Sequence, residues 1–175
     1  MVRGPSYYRG RVTIAVFPGS FDPITRGHLD VVRRARRFAD EVVVAIANNA
    51  GKATLLSIET RLELAREAVQ HLSGVRVEAV PGLLVEFCRA ADADLIVKGL
   101  RGGADYDAEM SMALMNRHLS GIETVFVIGD PALAHIASSL VRDVARNSGD
   151  IEDLVPPGVA PAVYRALGSA RTTRE

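Results

Sequence analysis

Cysteine is nearly absent from these 175 residues: Cys88 stands alone in the apolar stretch Leu83-Leu-Val-Glu-Phe-Cys88, which excludes an intrachain disulfide and suits a reducing compartment. A net charge is absent as well. The 21 basic residues balance 21 acidic ones, so no global field draws the chain to nucleic acid or to an anionic membrane, and any anion site has to be local. No apolar run reaches eighteen residues, and residues 1–11 hold tyrosines and arginines but no apolar segment of a secretory signal. These absences point to the cytoplasm. His71, His118 and His135 show no metal-ligand spacing with Cys88, so no structural zinc is expected and no metal ligand is assigned.

What is present is an alternation of two patterns. Short β-branched runs at 12–17, 42–47, 75–80, 95–98 and 124–128 are mostly apolar at consecutive positions, as in strands covered on both faces. Helical periods fall between and after them at 26–38, 58–72, 83–92, 105–119, 138–147 and 158–167, with Ser57 and Ser138 as candidate N-caps. Strand–helix alternation builds right-handed βαβ units, and the simplest product is one doubly wound, parallel five-stranded α/β sheet of order 3-2-1-4-5. A single domain over 12–167 is expected, with 1–11 and 168–175 as flexible termini. In that order the chain reverses beside the first and fourth strands, and ligands bind at the carboxyl ends of strands at such a switch point. The decisive loops are therefore 18–28 and 98–103.

The first of these reads Pro18-Gly-Ser-Phe-Asp-Pro-Ile-Thr-Arg-Gly-His28. Gly19 permits close approach of backbone to ligand, and Thr25 and His28 share a face at a helix start, where free N–H groups favour anions. An ordinary strand-to-helix turn would make Thr25 a cap and His28 a solvated residue. The second loop, Lys98-Gly-Leu-Arg101, brings two cations three apart, suited to a substrate with several phosphate charges. The arginines at 33, 34, 36 and 37 read as a solvated or subunit-facing surface, and Met110, Met112 and Met115 as core or interface.

The first run resembles the signature of the nucleotidylyltransferase superfamily, whose Thr-x-Gly-His element also resembles that of class I aminoacyl-tRNA synthetases. In its Pro-Gly-Ser-Phe-Asp-Pro form it is similar to the bacterial phosphopantetheine adenylyltransferase family. The likeness extends from Thr13 to Leu167 and takes in Glu109 to His118 and Ser138 to Arg146. It implies a Rossmann-like fold and transfer of the adenylyl group of ATP to 4′-phosphopantetheine, giving dephospho-coenzyme A and pyrophosphate.

The resemblance also implies site residues. Ser20 and His28 would meet the phosphates and Phe21 would also bind ATP, with His28 stabilising the transition state and Lys52 and Arg101 neutralising charge. Lys52 and Lys98, with Ser20, would hold the pantetheine phosphate and Leu84 the pantetheine arm. Gly99, Leu100 and Arg101 would contact the nucleotide and Glu109 the ribose or its surroundings. Leu133, Ala134, His135, Ile136, Ala137, Ser138 and Ser139 would flank ATP. Magnesium held by phosphates and water, a homohexamer and feedback by coenzyme A are further implications. Ala137, Ala108 and Gly82 depart from the family pattern. Two other readings stand beside this one: the same chemistry on another acceptor, such as nicotinamide mononucleotide, glycerol phosphate or choline phosphate, and a nonenzymatic ATP-binding module.

Overall fold

The computed structural model describes residues 12–47 and 53–168. Five strands, β1 (Ile14–Gly19), β2 (Glu41–Ala47), β3 (Val75–Val80), β4 (Leu95–Leu100) and β5 (Glu123–Ile128), alternate with α1 (Arg26–Ala35), α2 (Ile58–Val69), α3 (Leu84–Ala90) and α4 (Gly103–Ser120). A short 3-10 turn at Pro131–Leu133, then α5 (Ser138–Arg146) and α6 (Val159–Ala166), complete the chain. The sheet is parallel throughout and runs β3-β2-β1-β4-β5, the order expected from the pattern.

Consecutive apolar residues in β1 and β2 serve two cores. Ala15, Phe17, Val42, Val44 and Ile46 join α1, α2, α5 and α6 on one face, while Val16, Val43, Ala45 and Ile96 join Val80 and Cys88 on the other. The outer strand β5 differs from the expectation of two covered faces: as an edge it leaves Val125 and Ile128 exposed.

Strand β4 is longer than the apolar run suggests. Its ladder with β5 continues from Leu95↔Glu123 to Leu100↔Ile128, so Lys98, Gly99 and Leu100 belong to the strand and the loop begins only at Arg101. Toward β1 the pairing is much shorter, Ala15↔Leu95 and Val16↔Ile96 alone, whereas β1 follows β2 from Ile14 to Gly19. Beyond Val16, then, β1 and β4 part, and the gap between their carboxyl ends is the floor of a cleft.

Serine stands at two helix starts. Ser57 caps α2 as expected, its Oγ accepting the Thr60 N–H at 3.2 Å. The N-cap of α5, however, is Ala137 and not Ser138, whose hydroxyl is drawn away to donate to the Pro23 carbonyl at 2.8 Å. Helix α1 ends at Ala35, earlier than the periodicity suggests. In the arginine run beside that end, Arg34 pairs with Asp30 at 2.7 Å and Arg36 donates to the Ser73 carbonyl at 2.9 Å, so half of the run serves the fold itself.

Candidate active site

A cleft of about 360 Å³ opens where β1 and β4 separate. The loop from Pro18 to His28 forms one wall, β4 with the start of α4 a second, and the segment from Gly129 to Arg142 a third. It brings together Ser20, Phe21, His28, Lys98, Gly99, Leu100, Arg101, Glu109, Leu133, Ile136, Ala137, Ser138 and Ser139. Three assignments fall elsewhere. Ala134 and His135 do not line the cleft, although Leu133 and Ile136 on either side do, and His135 is exposed. Leu84 packs against the second core at the first turn of α3, away from the cleft. Lys52 lies outside the described residues.

The Pro18–His28 wall is built around two rings. Phe21 is buried and takes φ +46°, a left-handed conformation uncommon for a bulky residue. Its ring meets Phe17 and His28 edge-on at 5.3 and 4.9 Å. A Cβ at Gly19 would stand 3.0 Å from the Phe21 ring, so this glycine makes room for the phenylalanine as well as for a ligand. At Gly27 a Cβ would meet nothing nearer than 3.6 Å, and a side chain would project into the cleft it lines.

Thr25 does cap α1, as an ordinary turn would require, but His28 is not the solvated residue of that reading. The Thr25 hydroxyl accepts the His28 backbone N–H at 3.3 Å, and His28 Nδ1 in turn accepts the Thr25 backbone N–H at 3.0 Å. An acceptor Nδ1 assigns the ring proton to Nε2, on the far edge of the ring. Burial, and secondarily the positive charge of Arg101, push the imidazole pKa down to about 4. His28 is therefore a neutral donor at physiological pH.

Each cation of β4 and its loop has a carboxylate beside it. Lys98 Nζ lies 3.0 Å from Glu109, and Arg101 meets Asp105 through Nε at 2.9 Å and through Nη2 at 3.0 Å. The Arg101 hydrogen bonds hold the Asp105 carboxyl below its ordinary range. This partner was legible as an i,i+4 pair across the start of α4 but was not assigned from sequence.

Other unassigned residues tie the walls together. Asp22 is buried, accepts the N–H groups of Leu55 and Leu56 at 2.8 and 2.9 Å, and lies 3.4 Å from Arg142, which also donates to the Asp22 carbonyl. Asp30 accepts the Asp130 N–H at 2.8 Å and so joins α1 to the third wall. Arg142 belongs to the Ser138 to Arg146 motif, and a cation in a helix that opens onto the cleft is the sequence signal that marks it. Gly99 does more than line the cleft, since a Cβ there would stand 2.5 Å from Val31 Cγ2, so its lack of a side chain lets α1 pack closely on β4. Among the described residues no group of three or more His, Cys, Asp or Glu is placed to hold a metal ion, and no helix is long and apolar enough to cross a membrane.

Comparison with known proteins agrees with this geometry. A cytidylyltransferase-like family model matches residues 16–144. The chain is 47% identical over 166 residues to a phosphopantetheine adenylyltransferase of Bifidobacterium longum, covering 94% of this chain and 100% of that one. It is 53% identical over 148 residues to a phosphopantetheine adenylyltransferase of a Nocardioides species, covering 85% and 93% of the two chains. Among solved structures, a bifunctional NMN adenylyltransferase/ADP ribose pyrophosphatase from Francisella tularensis superposes with a TM-score of 0.68 at 15% identity, over 92% of this chain and 51% of that one; this likeness shows the fold alone. The match over most of the chain at about half identity places the protein in the phosphopantetheine adenylyltransferase family, within the cytidylyltransferase-like group.

Proposed function

We propose that this enzyme transfers the adenylyl group of ATP to 4′-phosphopantetheine, forming dephospho-coenzyme A and pyrophosphate. The observation that carries this reading is the convergence of the neutral donor His28 with Lys98 and Arg101 on one cleft at the switch point of the sheet. An oxygen of the acceptor phosphate bonds to the α-phosphorus of ATP as the bond from that phosphorus to the bridging oxygen breaks, and pyrophosphate departs with the bond's electrons. The attacking phosphate is already anionic at neutral pH, so no general base is needed and the protein's task is positioning and charge stabilisation.

His28 Nε2–H suits donation to the developing charge at the α-phosphoryl group, since a neutral donor of fixed tautomer undergoes no proton loss in doing so. The phosphates would draw Lys98 and Arg101 from Glu109 and Asp105, the carboxylates that compensate their charge in the structure. Lys52 is proposed as a further phosphate contact on the strength of the family resemblance. Magnesium, when bound with ATP, would neutralise phosphate charge and would be held chiefly by phosphate oxygens and water.

Pyrophosphate release measured with ATP or CTP against each of phosphopantetheine, nicotinamide mononucleotide and glycerol phosphate tests the reading. Turnover with ATP and phosphopantetheine is expected. Turnover with nicotinamide mononucleotide and none with phosphopantetheine would reject it, and nucleotide binding without pyrophosphate release from any acceptor would point to a nonenzymatic module.

Assembly into a homohexamer and competition by coenzyme A at the same cleft belong to the same proposal. Support for assembly comes from α4, where Met112, Leu114, Met115 and Leu119 are exposed, as is Ile128 of the edge strand. A monomer in light scattering would dispose of it.

A further inference from the structure

Arg61 is the largest of the fully buried side chains, 1% exposed, and no ion pair described in the structure includes it. Taking a guanidinium out of water without a carboxylate is costly. Its position worsens the account, because Arg61 stands in the first turn of α2, where the helix dipole disfavours a cation. Its Nε has no hydrogen-bond partner. Packing does not explain it either, since an apolar side chain of similar volume would fill the same space without these costs. What the charge does achieve is specific: Nη1 donates to the carbonyl oxygens of Ser20 at 2.8 Å and Ala47 at 3.1 Å.

The Ser20 carbonyl matters because of the residue after it. The Ser20–Phe21 peptide is trans, so its C=O and N–H point in opposite directions from one plane. Phe21 stands at φ +46°, a conformation this residue type does not take from local preference, so the plane has to be held from outside. Arg61 lies off the cleft and Ser20 and Phe21 line it. With the carbonyl drawn to Arg61, the Phe21 N–H is turned the other way, and no acceptor for it is found among the described residues.

We propose that Arg61 is a positioning residue: its hold on the Ser20 carbonyl sets the plane of the Ser20–Phe21 peptide and presents the Phe21 N–H to the phosphate undergoing substitution in the cleft. The inference rests on the proposed adenylyl transfer for the identity of that anion. The charge is needed because a neutral donor would hold the strained peptide less firmly, and the second bond to Ala47 fixes the guanidinium to the end of β2.

The test combines kinetics with amide NMR on the full chain. In the wild-type protein the Phe21 amide resonance should shift on addition of ATP with phosphopantetheine. Arg61→Met should lower kcat on the order of 100-fold, the loss typical of one oriented donor, while leaving both KM values within about threefold. It should also abolish the Phe21 shift, and Arg61→Lys should recover part of both signals. A wild-type kcat per folded molecule in Arg61→Met, with only the thermal midpoint lowered, would reduce Arg61 to a structural role and overturn the proposal. Should Arg61→Met fail to fold, the wild-type titration decides, since a Phe21 amide unmoved by the substrates overturns it equally. A wild-type enzyme that shifts Phe21 with ATP but does not turn over phosphopantetheine would remove the acceptor assignment and leave the positioning role standing.

Discussion

The backbone N–H of Thr25 donates to Nδ1 of His28 at 3.0 Å, so the cap that starts α1 also decides which nitrogen of the cleft's histidine keeps its proton. A Thr-x-x-His spacing at a helix start has two outcomes in one geometry: the helix gains a reciprocal cap, and the ring gains a fixed tautomer.

The first expectation concerns pH. His28 has its folded-state pKa pushed down to about 4 from an ordinary 6.5, so it stays neutral across the physiological range. The stability this group contributes is complete above pH 6.5 and is lost as pH falls toward 4, because the unfolded chain takes up a proton that the folded chain refuses. Imidazole resonances followed by NMR should show His28 titrating near 4, well below the ordinary 6.5. A His28 midpoint near 6.5 would contradict the assignment.

Replacing the donor should affect the chemical step. His28→Ala is expected to lower kcat about a hundredfold or more, equivalent to about 3 kcal/mol, with little change in ATP affinity. Pyrophosphate release at saturating substrates, beside nucleotide titration, separates the two; an unaltered kcat would remove His28 from the transition state.

Arg101 should matter far more to catalysis than to folding. Its pair with Asp105 is substantially exposed, 43% and 28% for the two side chains, and pairs of this kind contribute about 0–1 kcal/mol. Arg101→Ala should therefore leave the urea midpoint nearly unmoved while lowering kcat/KM strongly. Arg101→Lys should recover only part of the activity, since a lysine cannot reproduce the two-pronged contact. Full activity in Arg101→Lys beside a strong loss in Arg101→Ala would argue that charge alone suffices.

Gly99 should reveal how closely α1 is seated. A methyl group at this position would be 2.5 Å from Val31 Cγ2, and Gly99→Ala is expected to cost about 1–3 kcal/mol through overpacking. Combining it with Val31→Ala should cost less than the sum of the single changes, because the second change vacates the contested space. Strict additivity in urea denaturation would show that the clash is relieved by another route.

Most of the framework could be read from the chain because its signals are local. Runs such as Val42 to Ile46 are apolar at every position, short and rich in β-branched residues, as a doubly covered strand requires, and alternation with helices then limits the sheet order. His28, Lys98 and Arg101 were legible for a similar reason, standing at the strand and helix ends that this order brings together. What escaped was decided by distant partners. The end of β4 depends on β5, which pulls Gly99 and Leu100 into a ladder. Ser138 looked like a cap until Pro23, far away in sequence, took its hydroxyl. Arg61 carries no mark in its own helix of the Ser20 and Ala47 carbonyls it reaches.

Asp22 gives the cleft a further property. One buried carboxylate holds the amides of Leu55 and Leu56 and faces Arg142 of α5, so the Pro18–His28 wall, the approach to α2 and the α5 wall share a single fastening. Opening any one of them strips the others of a partner, which favours concerted rather than piecemeal fluctuation. In hydrogen exchange the three segments would lose protection together, and substrate entry would then involve one breathing motion rather than three independent gates.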